Sequence, residues 1–149
     1  MAGVTNRGKF LMLDGYFRNT LPTNLFVVLC TSADTPDADT NVLGDLTEIQ
    51  AGNGYSAGGY SLSRNDTDFD ILTESDTPDR ASIQVKNVVW TASGGPIPAS
   101  GDGARWAVLI DDDSLDQVLA YFDLTSDRTV SDGQTFTLED CEIRFDEPA

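Results

Sequence analysis

Carboxylates are the only chemistry-bearing side chains that this sequence supplies in quantity, and two clusters of them stand out. Asp66, Asp68 and Asp70 alternate with Thr67, Phe69 and Ile71, a spacing that projects three acids from one face of a strand. Asp111, Asp112 and Asp113 close an apolar run. Either set offers oxygen ligands for calcium, which collects roughly six to eight of them. Neither fits an EF-hand loop, because no glycine or terminal Glu stands at the required offset. Alternation of Asp with apolar residues is equally the pattern of a solvated strand face. Paired carboxylates also serve glycosidases as acid and base, yet a chain with 25 acidic residues produces such pairs by chance. No metal ligands and no catalytic pair are assigned.

The remaining chemistry is thin. The sequence has no histidine, which removes the Ser-His-Asp and Cys-His arrangements and the commonest metal ligand together. Cys30 and Cys141 make no zinc pattern of the CxxC type, and both fall in apolar, strand-like runs. Two buried free thiols are the default expectation, with a single bridge between them left open. Gly52-Asn53-Gly54 lacks the Lys-Ser/Thr of a phosphate-binding loop and opens no helix after a strand, so it reads as a turn. Trp90, Trp106, Tyr121 and Phe122 would suit a carbohydrate-binding face, although aromatics in β domains more often form core. Arg80, Arg105 and Arg128 each stand beside an Asp or a turn, which suggests local ion pairs. The chain reads as a non-enzyme without a cofactor.

Charge narrows the partners. The formal net charge is −16 and the pI is near 4.1. Such a surface repels phosphate backbones and anionic lipids, both of which are bound through cationic side chains. Nucleic acid and membrane are therefore poor partners. Part of the acidity has a simpler source, since Asp is a common turn residue. No apolar run approaches the roughly 20 residues of a membrane span. The N-terminal stretch is interrupted by Asp14 and does not read as a signal peptide.

The elements that must position these residues are mostly strands. Phe10, Leu13, Tyr16 and Phe17 recur at helical spacing, Asn6 is the expected cap, and the NTLP stretch at 19–22 ends the helix. The preceding residues look like a free arm, so the chain divides into an arm at 1–9 and a single β domain at 10–149. The run 25–31 (LFVVLCT) predicts a central strand covered on both faces. Tyr60, Leu62 and Arg64 alternate with serines, and a strand is expected there and around Phe69 and Ile71. Residues 82–91 (SIQVKNVVWT) predict one long strand with a bulge, because the apolar phase flips between Val85 and Val88. Residues 91–103 form the longest loop signal. Strands follow at 104–110, 118–124, 135–138 and 141–145, with a second phase break near Glu139 and Asp140. The resulting fold class is mainly β: an antiparallel β-sandwich or jelly-roll-like Greek key of seven or eight strands with one N-terminal helix.

Three stretches carry a resemblance: 53–74 (NGYSAGGYSLSRNDTDFDILTE), 88–105 (VVWTASGGPIPASGDGAR) and 119–145 (LAYFDLTSDRTVSDGQTFTLEDCEIRF). In phrasing and order they resemble small virion proteins of tailed bacteriophages. The resemblance implies a non-enzymatic virion component, best matched by a capsid decoration or cement protein that binds the major capsid protein from outside. It also implies assembly in the bacterial host cytoplasm and a homo-oligomer, a trimer among the options. A tail, baseplate or head-fibre component, with host-glycan binding, is the alternative. The arm and the 93–103 loop are the expected contact segments, the arm contributing Arg7 and Lys9.

Overall fold

The computed structural model describes residues 2–111 and 115–146, and within them lie ten strands, one α-helix and a turn of 3-10 helix at Leu43–Asp45. The fold is mainly β, with antiparallel sheets arranged in a sandwich-like way and the helix near the N-terminus.

The run beginning at Leu25 lacks polar alternation because both of its faces are covered. Strand β2 (Leu25–Cys30) lies between β3 (Tyr60–Leu62) and β7 (Ala104–Asp111). Beyond β7 come β8 (Val118–Arg128) and, at the edge, β1 (Ala2–Val4), completing a five-stranded sheet in the order β1-β8-β7-β2-β3. Successive side chains alternate between faces. Leu25, Val27 and Leu29 join Leu109 and Phe122 in the main core. Val28 and Cys30 join Trp106, Val108 and Tyr121 on the opposite face, against which Leu43 and Leu46 of the following connection pack.

The second layer corrects the expectation of one long bulged strand. Residues 82–91 belong to two strands in two sheets. Strand β5 (Asp79–Gln84) sits between β4 (Ile71–Asp76) and β10 (Glu142–Asp146), whereas β6 (Val88–Thr91) pairs with β9 (Thr135–Leu138). The break in one ribbon arm faces the break in the other. Val85 N–H donates to the Cys141 carbonyl across it at 2.9 Å, and Asp140 takes a left-handed conformation at φ 57°. Both phase breaks read from the sequence are thus one event, a two-stranded ribbon turning from sheet to sheet. Its β6–β9 half lines the core with Val88 opposite Leu138 and Trp90 opposite Phe136. The rings of Trp90 and Phe136 meet edge-on at 6.0 Å, a geometry worth roughly 0.5–1.5 kcal/mol beyond burial. This split and β1 raise the strand count from the seven or eight expected to ten.

From Ala2 onward, the residues expected as a free arm are folded. Ala2, Gly3 and Val4 pair with Phe122, Tyr121 and Ala120 of β8. The helix α1 (Asn6–Arg18) is capped by Thr5 and not by Asn6, with the Thr5 hydroxyl accepting from Gly8 N–H at 2.8 Å. The register between β7 and β8 shifts beside Leu109, where Ala120 and Val118 pair with consecutive β7 residues and Leu119 is left over. That bulge leaves the Leu119 carbonyl to accept from Thr5 N–H at 3.1 Å, and the Thr5 hydroxyl donates to the Val118 carbonyl at 2.5 Å. The helix ends at Asn19, left-handed at φ 59°, whose N–H returns to the Gly15 carbonyl.

Candidate functional site

An apolar helical stripe ordinarily marks the face that packs on the core. In α1 the relation is reversed. Gly8 and Gly15, seven residues apart and so two turns along one face, are the buried residues of the helix. A Cβ on Gly8 would stand 2.1 Å from the Leu119 carbonyl oxygen, so the backbone lies against β8 where no side chain fits. Leu11 and Met12 flank this contact and pack on the core. The stripe read from the sequence points away from it: Phe10 is 54% exposed, Leu13 59%, Tyr16 84% and Phe17 74%. Its charge is also reversed relative to the body. Arg7, Lys9 and Arg18 are three of the chain's nine basic residues, while the helix holds a single acid, Asp14, which pairs with Arg18 at 3.4 Å and accepts a hydrogen bond from Thr20. The Arg7 guanidinium lies 5.6 Å from the centre of the Phe10 ring.

Beside α1 opens an apolar cleft of about 700 Å³. Met12 lines it from the helix, Phe69, Leu72 and Ile83 from the hairpin side, and Leu109 and Leu119 from the main sheet. The polar residues of its lining are Arg64, Asn65, Asp66 and Asp70, all exposed. Leu72 is 75% exposed and the neighbouring Ile71 47%. Met12 is the helix residue that lines the cleft, whereas Phe10, Leu13, Tyr16 and Phe17 lie outside its lining.

The acids expected to share a strand face do not. Residues 66–68 form a turn ahead of β4, held by Asn65, whose carboxamide oxygen accepts from Thr67 and Asp68 N–H at 3.0 and 2.8 Å. Asp68 turns inward, is 8% exposed, meets Lys86 Nζ at 2.5 Å and accepts from Ser63 N–H at 2.7 Å. These partners hold its carboxyl below the usual value, and Asp68 in turn raises Lys86. Asp66 and Asp70 stay in solvent. Asp112 and Asp113 lie outside the described residues, and Asp111 accepts from the Gln117 backbone N–H at 2.9 Å and its carboxamide at 3.2 Å. Among the described residues no three acids or cysteines gather as a metal site.

The aromatic residues named for a carbohydrate face are core. Trp90, Trp106, Tyr121 and Phe122 are all buried, and Trp106 packs edge-on against Tyr121 at 6.3 Å. Of the three arginines, two make ion pairs, but across strands with acids distant in sequence and not with the local neighbours expected. Arg105 grips Asp123 through two hydrogen bonds of 2.9 and 3.3 Å and holds that carboxyl well below its usual range, and Arg80 meets Asp146 at 2.6 Å. Arg128 instead donates to the Thr137 carbonyl and covers the Phe136 ring at 4.5 Å. Both thiols are free and buried, and burial pushes each up to about 12. The 93–103 loop is anchored through Ile97, which exchanges backbone hydrogen bonds with Val130, and its exposed tip is Ser100, Gly101 and Asp102.

The most tightly tied polar group is Tyr55. Its buried hydroxyl donates to Glu48 at 2.8 Å and accepts from Leu29 N–H at 3.0 Å, while Glu48 also accepts from Gly58 N–H at 2.8 Å. Burial first, and then the Glu48 carboxylate, raise the phenol well above its ordinary value against the opposing effect of the Leu29 N–H, and the three hydrogen bonds tie β2 to its neighbouring loops. No protein-family model matches this chain, and no curated protein matches it.

Proposed function

We propose that this chain is a non-enzymatic structural protein of a tailed-bacteriophage virion, and that it decorates the outer capsid surface and stabilises the shell. The observation that carries the reading is the outward apolar face of α1. A contiguous aromatic and aliphatic surface on an otherwise acidic, well-satisfied β body costs free energy in water until something covers it. Membership of an assembly supplies that cover, and the resemblance of 53–74, 88–105 and 119–145 to small virion proteins supplies the kind of assembly. The partner on this reading is the major capsid protein, and the acidic body faces outward.

A tail, baseplate or head-fibre role is the second reading, favoured by the exposure of Phe10, Tyr16 and Phe17. Sugar-stacking platforms present ring faces. Tyr16 and Phe17 meet edge-on at 5.1 Å with an interplanar angle of 76°, which argues against a flat platform. Mixing the purified protein with particles that lack it, and counting bound copies by sedimentation and gel densitometry, separates the two. Copies in lattice-scale numbers with increased heat resistance support the capsid role. A handful at one vertex moves the protein to the tail, and no binding overturns the virion reading.

A further inference from the structure

We propose that α1 docks into the apolar cleft of a second copy of this chain. The inference rests on the reading of the α1 face as a surface covered in the assembled state, and it names what covers it. Exposed large apolar side chains concentrate in two places. One is α1 and its exit, at Phe10, Leu13, Tyr16, Phe17 and Leu21; the other is the hairpin layer, at Ile71, Leu72 and Phe145. The first is a convex ridge, and from the second Leu72 lines the concave cleft. Their charges are opposite as well. The ridge is edged by Arg7, Lys9 and Arg18, and the cleft lining carries Asp66 and Asp70 against Arg64.

A helix laid in an apolar groove with acidic residues along it satisfies both surfaces with one kind of contact. Only a second copy accounts for both surfaces at once, since a different acidic partner would cover the ridge and leave the cleft open. Either a two-fold pair or a closed ring repeats the contact in every subunit, with no unpaired ridge remaining. An anionic membrane would also attract a basic amphipathic helix. The net charge of −16 opposes both a membrane surface and a second copy, and only the second copy offsets it by also covering the cleft.

The test is sedimentation velocity of the full chain, up to about 100 μM, at low and high salt. The expected result is a reversible dimer or larger closed oligomer, formed most readily at high salt, where the repulsion between two bodies of net charge −16 is screened. Phe17→Ser and Leu72→Glu change exposed residues, so each variant should melt as the parent does while associating at least about tenfold more weakly. Mixing the two folded variants should restore association above either alone, because one keeps an intact cleft and the other an intact helix. A parent that stays monomeric throughout overturns the inference. So does association that Leu72→Glu leaves untouched, or a mixture that recovers nothing. A monomeric parent that binds phosphatidylserine vesicles gives the helix to a membrane instead. A monomer that still coats particles removes only this inference, whereas an oligomer that ignores particles removes only the virion role.

Discussion

Helix α1 and the β6–β9 ribbon both carry apolar and aromatic side chains, and they spend them in opposite ways. In the ribbon Trp90 and Phe136 face each other inside the core, with Tyr55 and Tyr60 packed on the Trp90 ring and Arg128 over Phe136. In the helix the same chemistry points into water, because the closest approach to the sheet is made by the Gly8 backbone, flanked by Leu11 and Met12. Hydrophobic character therefore does not decide burial by itself. The element's closest-approach face decides it, and in α1 that face is set by Gly8 against Leu119, with Gly15 on the same side beneath Leu21.

The comparison breaks most visibly at the ribbon. Trp90→Ala should destabilise the fold by roughly 3–5 kcal/mol, since it removes a ring with aromatic neighbours on several sides, and chemical denaturation measures the loss. A smaller but still clear effect is expected at the helix contact. Gly8→Ala drives a Cβ into the Leu119 carbonyl and should cost roughly 1–3 kcal/mol through strain or undocking of α1, with protease cleavage near the N-terminus appearing before global unfolding. A similar loss of about 1–3 kcal/mol should follow Tyr55→Phe, which leaves Leu29 N–H without its partner.

Smaller again is the effect of the Asp68–Lys86 pair. The Asp68 carboxyl is lowered in the folded chain, so its contribution is present above the unfolded value near 4 and fades as pH falls through the lower folded value. Lys86 is raised, so its share is present below the unfolded value near 10.5 and fades as pH rises through the folded one. Melting curves of Asp68→Asn against the parent should differ by no more than about 1 kcal/mol near neutrality and converge in acid. Phe17→Ser should lie at the bottom of the scale, within about 0.5 kcal/mol for the monomer. A large loss there would mean that the exposed face holds the fold together and that the contrast with the ribbon is false.

Strong apolar runs made most of the sheet legible. The run at 25–31 required cover on both sides, and the runs after Ala104 and Val118 required strands beside it. The phase breaks at Lys86 and Asp140 were legible as breaks but not as a change of sheet, because a bulge and a strand that switches sheets flip the alternation identically. Asp66, Asp68 and Asp70 misled for a related reason. Alternation outweighed the dense turn chemistry of Asn65-Asp66-Thr67-Asp68, where an Asn side chain replaces the ladder hydrogen bonds. Strand β1 is three residues of small side chains and has no period to detect. The helix was legible as a helix, yet its orientation depended on Gly8 and Gly15. Their seven-residue spacing opposite the aromatic stripe was the available signal for the candidate site.

The two free thiols lie on opposite sides of the main sheet, Cys30 in the layer with Trp106 and Tyr121, Cys141 in the layer with Trp90 and Phe136. A bond between them would have to pass through the sheet, so oxidation of the folded chain leaves them apart. Each sulfur is instead a gauge of a single layer. A thiol reagent applied during slow unfolding would record separately when each side of the sheet first admits water, reading the order of events without any added label.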